Sequence, residues 1–377
     1  MAFTFVHTAD WQIGKRFGRF PAERATLLNE ARLDAIARIA AEATAHGARH
    51  ILVAGDVFDS EVLPDRLVQT TLGRLGAHRT ITWHLLPGNH DPARPGGVWS
   101  ALAHAPPDNV RLHLEPRAVE IAPGVILLPA PLTAKSTTAD PTVWMDGATT
   151  PPGAIRIGLA HGSVQGFGSL GEASVQIDPR RAHTARLDYM ALGDWHGAKE
   201  IGPATWYAGT PEPDSFTDNG PGHVLVIDID IAGAGAPPNV KPVPTAKYRW
   251  LARRVVVSRA EDVEPLMAEI ERLGPATAQH LLDLSVEGRL PVADQAVLDT
   301  HLDWLATRLF HVRCDRSRLR TSAGLADIEA LQSGALRAIA ARLACAAAAD
   351  DPEARIAADA LTRLFAFDAA LLAEGGS

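Results

Sequence analysis

Five short apolar runs of this chain end in the same kind of loop, and that repetition restricts the fold more than any bulk property does. They lead into Asp10 in "HTADWQIG", into "GDVFD" (Asp56, Asp59), into "GNHD" (Asn89, His90, Asp91), into "AHGS" (His161) and into "GDWHG" (Asp194, His196). A short apolar run bounded by turn residues reads as a buried strand. Loops at the carboxyl ends of such strands converge on one edge of a layered α/β fold. Helical periodicity over Ala22 to His46, closed by Gly47, and over Asp65 to Ala77 supplies helices between the first strands.

Further strand-like segments follow in "AVEIAPGVILLPAP", "IRIGLAHGS", "YMALGDWHG" and "HVLVIDIDI". Together they predict a sheet-on-sheet sandwich flanked by helices. The Gly- and Pro-punctuated stretch 232–245 marks a turn near a domain edge. Beyond it a strand (Arg254–Ser258), a helix (Ala260–Leu273), a strand (His280–Glu287), a helix (Val292–Leu309) and a strand (Phe310–Asp315) form a small α/β unit. The Ala-rich tail from Gly324 is helical, with one apolar stripe through Ile328, Leu331, Ala335, Ile339 and Leu343. A second runs through Ile356, Leu361, Leu364, Phe365 and Leu372, broken from the first near Asp350–Pro352. The expected division is 1–250, 251–322 and 323–377.

With 46% hydrophobic and 21% charged residues, wholesale disorder is excluded. A net charge of −8 argues against nucleic-acid binding over the whole surface, though not through a local patch. The two cysteines, Cys314 and Cys345, build no disulfide framework. No cationic leader precedes the first strand and no apolar run is long enough to span a membrane, so a cytoplasmic protein is expected.

Asp10, Asp56, Asn89, His161, Asp194 and His196 are metal-ligand types, and each follows a strand. A bridging carboxylate such as Asp56 with carboxylate, amide and imidazole neighbours is what a two-metal site requires. Two divalent ions roughly 3.5–4 Å apart bind a phosphoryl group and activate a water between them. A histidine beside them can protonate the leaving oxygen. Each loop alone has a structural reading: Gly-Asp is a common turn, and a lone histidine is more often structural than a ligand.

The series resembles the calcineurin-like metallophosphoesterases, with their Asp-x-His, Gly-Asp-x-x-Asp, Gly-Asn-His-Asp/Glu, lone His and Gly-His-x-His motifs. The resemblance implies a four-layer β-sandwich flanked by helices and a dinuclear, usually manganese-type, site. It assigns Asp10 and His196 to one metal, Asp56 as the bridge, and Asn89 and His161 to the second. His90 becomes the proton donor or phosphate-stabilising residue, oriented by Asp91. "WYAGTPEPDSFTD" (206–218) and "GDVFDSEVLPDRL" are similar to segments of the SbcD-like (YhaO-like) DNA repair nucleases. That branch implies DNA as substrate, exo- or endonucleolytic cleavage, and a small α/β cap domain that directs DNA to the metals. It also implies a helical C-terminal tail that docks on an SMC-like ATPase (SbcC-like or YhaN-like), and a homodimer.

Two positions depart from the motifs. Gln12 stands where the first metal expects histidine, and Asp194 where the second does. If both coordinate, three carboxylates make an oxygen-rich site that favours Mn²⁺ or Mg²⁺ over Zn²⁺. Alternatively Gln12 bonds only to a water on the first metal, or the site is degenerate and inactive. Lys15, Arg16 and Arg19 are candidate phosphate contacts, and Arg308, Arg313, Arg316, Arg318 and Arg320 form a basic run in the cap, with solvated arginines as the alternative. Trp11 and Trp195 could stack on bases, although packing is the commoner role of such tryptophans. Two other functions fit the same residues: a phosphodiesterase for small substrates such as cyclic nucleotides, and a non-catalytic subunit that positions DNA for the ATPase.

Overall fold

The computed structural model describes residues 2–166, 175–230, 236–322, 325–331, 333–349 and 353–375. The chain divides into two units, Met1–Asp214 with Asp218–Tyr248, and Ser215–Thr217 with Arg249–Ser377. In the first unit the elements run β1 (Ala2–Thr8), α1 (Ala22–Ala45), β2 (His50–Val53), α2 (Asp65–Ala77), β3 (Thr82–Leu85), α3 (Val98–His104), β4 (Val110–Leu112), β5 (Val119–Ala122) and β6 (Val125–Ala130). They continue with β7 (Ile155–His161), β8 (Ser163–Val164), β9 (Gln176–Ile177), α4 (Arg181–Thr184), β10 (Tyr189–Gly193), β11 (Lys199–Gly202), β12 (Thr205–Tyr207), β13 (His223–Asp230) and β14 (Asn239–Pro244).

Two six-stranded sheets result, ordered β14-β13-β1-β2-β3-β4 and β11-β12-β10-β7-β6-β5. Their inner faces meet in a shared core in which Phe5, Leu52, Leu225 and Ile227 of the first sheet pack with Leu127, Ile157, Leu159 and Tyr189 of the second. The outer face of the first sheet is covered by Leu33, Ile36 and Ile39 of α1, Leu72 and Leu75 of α2 and Trp99 of α3. The second sheet's outer face packs on Met145, Val164, Ala185 and Leu187. Helices thus cover the first sheet, and short helical turns with the β8–β9 pair cover the second. Central strands are covered on both faces, so β7 and β10 are buried along their whole length, Arg156 of β7 included. Pro242 and Pro244 lie in β14, an edge strand, where a residue without an N–H is tolerated. Residues 232–235 of the predicted turn lie outside the described residues.

A column of histidines crosses the first sheet. His50 Nδ1 lies 3.1 Å from His84 Nε2, and His84 Nδ1 lies 3.0 Å from His113 Nε2, with the rings stacked. Burial depresses all three below the usual imidazole value of 6.5. Arg49 adds to the effect at His50, the neighbouring imidazoles and Arg111 at His84, and Arg117 with Arg111 at His113, which falls to about 4.

The second unit is built on β15 (Arg249–Val257), α5 (Glu264–Arg272), β16 (His280–Pro291), α6 (Val292–Arg308) and β17 (His311–Ser322), and ends in α7 (Leu325–Ala330), α8 (Gly334–Ala347) and α9 (Glu353–Gly375). Its three strands are parallel, in the order β15-β16-β17. Leu282, Leu284 and Val286 of β16 pack on Leu266 and Ile270 of α5 and on Leu298, Leu302 and Leu305 of α6. Of the predicted stripes, Ile328, Leu331 and Leu361 are buried together with Ala340, and Leu343, Leu364 and Phe365 pack beside them, whereas Ala335, Ile339 and Ile356 are exposed, so the buried face is turned from the predicted one. The predicted break at Asp350–Pro352 and the side chain of Leu372 lie outside the described residues. No described helix is long and apolar enough to cross a membrane.

Candidate metal centre

The loops after β1 and β2 run side by side because the parallel pairing of the two strands continues beyond them. Asp10 N donates to Gly55 O at 3.1 Å, Gln12 N to Asp56 O at 2.9 Å and Ile13 N to Val57 O at 3.0 Å. Gly162 N donates to Gly193 O at 3.1 Å and joins the loops after β7 and β10 in the same way. This lacing carries an unusual backbone. Asp10 (φ 54°), Gln12 (φ 48°), Asp56 (φ 51°) and Asp194 (φ 106°) all adopt positive φ. Such conformations cost of order 1–3 kcal/mol each and persist where the surroundings over-determine them, commonly at functional sites.

The strained residues bring their side chains together. One ligand atom each of Asp10, Asp56 and His161 lies within 4.8 Å of the others, and all three residues are buried. His161 Nε2 is 2.9 Å from Asn89 Oδ1, 3.5 Å from Asp56 Oδ1 and 3.9 Å from Asp194 Oδ1, while Nδ1 is 2.8 Å from the Ala54 carbonyl. The Asp194 N–H donates to both oxygens of Asp10, at 3.1 and 3.2 Å, and Ser163 Oγ donates to Asp194 Oδ2 at 2.8 Å. Gly88 closes the floor: a Cβ there would stand 2.1 Å from Asp56 Oδ1, so only glycine lets the "GNHD" loop approach the bridging carboxylate.

Gln12 donates from Nε2 to Asp56 Oδ2 at 2.6 Å, and its Oε1 is buried without a hydrogen-bond partner. An orphaned buried carbonyl oxygen is costly unless something outside the chain satisfies it. With three carboxylates gathered around one imidazole, the missing partner is a cation, and the donor set fits a hard divalent ion. Asp10, Gln12, Asp56, Asn89, His161 and Asp194 are the residues that would hold it.

The protein alone balances this charge with protons. Burial raises the Asp10 carboxyl to about 6, against the opposing pull of His196 and His161, and Asp56 and Asp194 push the same way. At His161 burial favours the neutral ring, but the carboxylates of Asp56, Asp10 and Asp194 outweigh it and raise the imidazole to about 9.

His196 is held from behind. Its Nδ1 lies 3.4 Å from Asp214 Oδ1, which leaves Nε2 for a metal. Asp214 is buried and also takes Lys15 Nζ at 2.5 Å and Arg32 Nη2 at 3.1 Å, the latter as an ion pair without hydrogen-bond alignment. Burial opposes ionisation of Asp214, but His196, Arg32 and Lys15 overcome it and hold the carboxyl far below its usual range. Arg32 Nη1 in turn donates to the Trp11 carbonyl at 2.5 Å, between Asp10 and Gln12. Arg32 and Asp214 thus tie the first and last ligand loops together. Sequence reading missed both: Asp214 lies inside the quoted "GTPEPDSF", and Arg32 shows as one more polar residue on a helix.

His90 is exposed at the rim. Its backbone N–H donates to Asp56 Oδ1 at 2.9 Å, and its Nδ1 is 3.4 Å from the Asp59 carbonyl. The Asp91 carboxylate accepts from Gly88 N at 2.7 Å and Phe58 N at 3.0 Å, and so braces the backbone of two ligand loops. Trp11 is buried, donates to Thr8 Oγ1 at 3.0 Å and packs edge-on against Trp83, which removes it from any contact with bases. Arg16 and Arg19 are exposed.

Residues 3–164 match the family model of calcineurin-like phosphoesterases. The matched segment carries every ligand candidate except Asp194 and His196, and it implies metal-dependent phosphoester hydrolysis. A crystal structure of the protein TT1561 of Thermus thermophilus is 12% identical, covering 65% of this chain and 100% of that chain at a TM-score of 0.40. A second solved structure is 9% identical over the same shares, at 0.38. No curated protein matches the chain.

Proposed function

We propose that the chain is a divalent-metal-dependent phosphodiesterase that cleaves DNA, an SbcD-like nuclease working in the cytoplasm with an SMC-like ATPase. The observation that carries the hydrolase reading is the convergence of Asp10, Asp56 and His161 beside an unsatisfied Gln12 oxygen. When bound, two divalent ions bind the phosphoryl group and supply a water-derived nucleophile at neutral pH. Asp56 stands between the Gln12 and His161 sides of the pocket and would be shared by the ions. Asn89 and His161 would hold an ion on one side, and His196, oriented by Asp214, on the other. His90, with its ring at the rim, gives a proton to the departing sugar oxygen. The oxygen-rich donor set favours Mn²⁺, with Mg²⁺ next.

DNA as substrate is supported by the segment containing Asp214, which resembles the nuclease branch and reaches the site through His196. Ile339, Ile356 and Phe367, exposed on α8 and α9, are candidates for the face that meets the ATPase. Purified protein incubated with DNA and Mn²⁺ tests the reading. Cleavage is expected, reduced roughly 10²- to 10⁴-fold in His90→Ala. Absence of cleavage by wild type, at any divalent ion supplied, overturns it.

One observation favours a smaller substrate. In the basic run of the cap, Arg313 pairs with Asp283, Arg316 with Asp299 and Arg318 with Glu287, which removes much of its attraction for a phosphate backbone. Hydrolysis of a bis-aryl phosphate without DNA binding or cleavage would establish this second reading.

A further inference from the structure

A cavity of about 660 Å³ opens beside the ligand loops, inside the range that small-molecule sites occupy. Its walls include the continuations of two of those loops: residues 13–16 beyond Gln12, and residues 59, 60 and 62–64 beyond Asp56. The loops pack tightly, since a Cβ on Gly14 (φ 96°) would stand 2.7 Å from Leu63 Cδ2. Ile13, Leu33, Leu63 and Leu67 give it an apolar lining, while Arg16, Asn29 and Ser60 add cationic and hydrogen-bonding groups; the Lys15 ammonium in the wall is held by Asp214. Asp59, another wall residue, is the one whose carbonyl lies 3.4 Å from His90 Nδ1. Val62, also in the wall, is 77% exposed, an apolar side chain left in water beside an apolar recess.

A planar, weakly polar group attached to an anion matches these walls. The geometry points to this cavity as the seat of the nucleobase next to the scissile phosphate, with Arg16 facing the adjoining phosphate; the inference rests on the phosphodiesterase reading above. Leu33, Leu63 and Leu67 take the faces of the base, and Asn29 and Ser60 meet its polar edge. The ligand class is a nucleotide, either free or at the end of a strand.

Equilibrium dialysis of the full chain tests it, with and without Mn²⁺. The probes are deoxyadenosine 5′-monophosphate, deoxyribose 5-phosphate, inorganic phosphate and an oligo-deoxyadenylate decamer. Deoxyadenosine monophosphate is expected to bind about tenfold more tightly than deoxyribose phosphate, the gain from burying a base. Leu63→Trp, which fills the cavity, abolishes that preference and leaves deoxyribose phosphate binding unchanged. Ser60→Tyr, outside the apolar floor, is the second occluding variant should the first fail to fold. Arg16→Ala weakens both sugar phosphates. Tighter binding of the decamer than of the mononucleotide assigns the seat to a strand end, and equal binding assigns it to free nucleotides. The inference is overturned if wild type shows no preference for the base-bearing ligand in either condition, or if a folded occluding variant keeps the preference. Loss of hydrolysis with the preference intact would instead sink the phosphodiesterase reading alone.

Discussion

Asp214 does for His196 what no sequence-adjacent residue does: it engages one ring nitrogen and so decides which one a metal would meet. Carboxylate partners of ligating histidines set tautomer and orientation, and their loss typically weakens metal binding about 10- to 100-fold. Here the same carboxylate neutralises Arg32, whose side chain is 1% exposed. Asp214→Ala therefore leaves a buried guanidinium unpaired. Such a change destabilises by about 3–5 kcal/mol, which urea denaturation would register, and metal titration would show the weakened site. An unchanged affinity would remove Asp214 from the positioning role. The contrast with the ligands themselves shows what a sequence makes visible. Asp10, Asp56, Asn89, His161, Asp194 and His196 each end a strand, so a local pattern finds them. Arg32 sits on a helix and meets Asp214 only through the fold, and its burial has no local signature.

At the scale of elements, the alternation of apolar strands and amphipathic helices was legible because each period follows from which faces are covered. The limits of α1 and α2 agree with their predicted spans to within a residue. Strands β15 and β17 extend well beyond the predicted segments: Arg316–Ser322 looks too polar for a strand when read alone, and the short apolar run Trp250–Ala252 is bounded by arginines. Pairing with β16, and the carboxylates of Glu269 at Arg253, Asp299 at Arg316 and Glu287 at Arg318, make the arginines of these extensions tolerable there. The histidine column was not read at all, because three residues on separate strands share no motif. It sets an acid limit on the fold. These rings are held neutral in the folded state, so the unfolded chain takes up protons first as pH falls below 6.5. The contribution is full above that value and is lost as pH drops toward 4. For His113 the shift from 6.5 to about 4 amounts to roughly 3 kcal/mol at most. Denaturant melts of His113→Asn should show a flatter loss of stability across this window than wild type.

For the molecule as a whole, two units with separate apolar cores carry different responsibilities. Every candidate ligand lies in the first. A divalent ion that binds only the folded first unit stabilises it by about 2.7 kcal/mol at a hundred times its dissociation constant. Two unfolding transitions are expected in urea, with Mn²⁺ moving only the one reported by the tryptophans of the first unit. Trp250 and Trp304 report on the second, so replacing both with phenylalanine isolates the first signal. A single transition that moves as one with Mn²⁺ would mean that the two cores unfold together.

The left-handed backbone at Asp10, Gln12, Asp56 and Asp194 reaches beyond geometry. A residue held against its own preference is a place where giving up activity relaxes the fold. Replacement of Asp194 by glycine removes a side chain that a φ of 106° penalises, and the expected result is a higher midpoint in a thermal melt together with lost hydrolysis. Random mutation screened for solubility or heat resistance would then drift toward dead enzymes at these very positions.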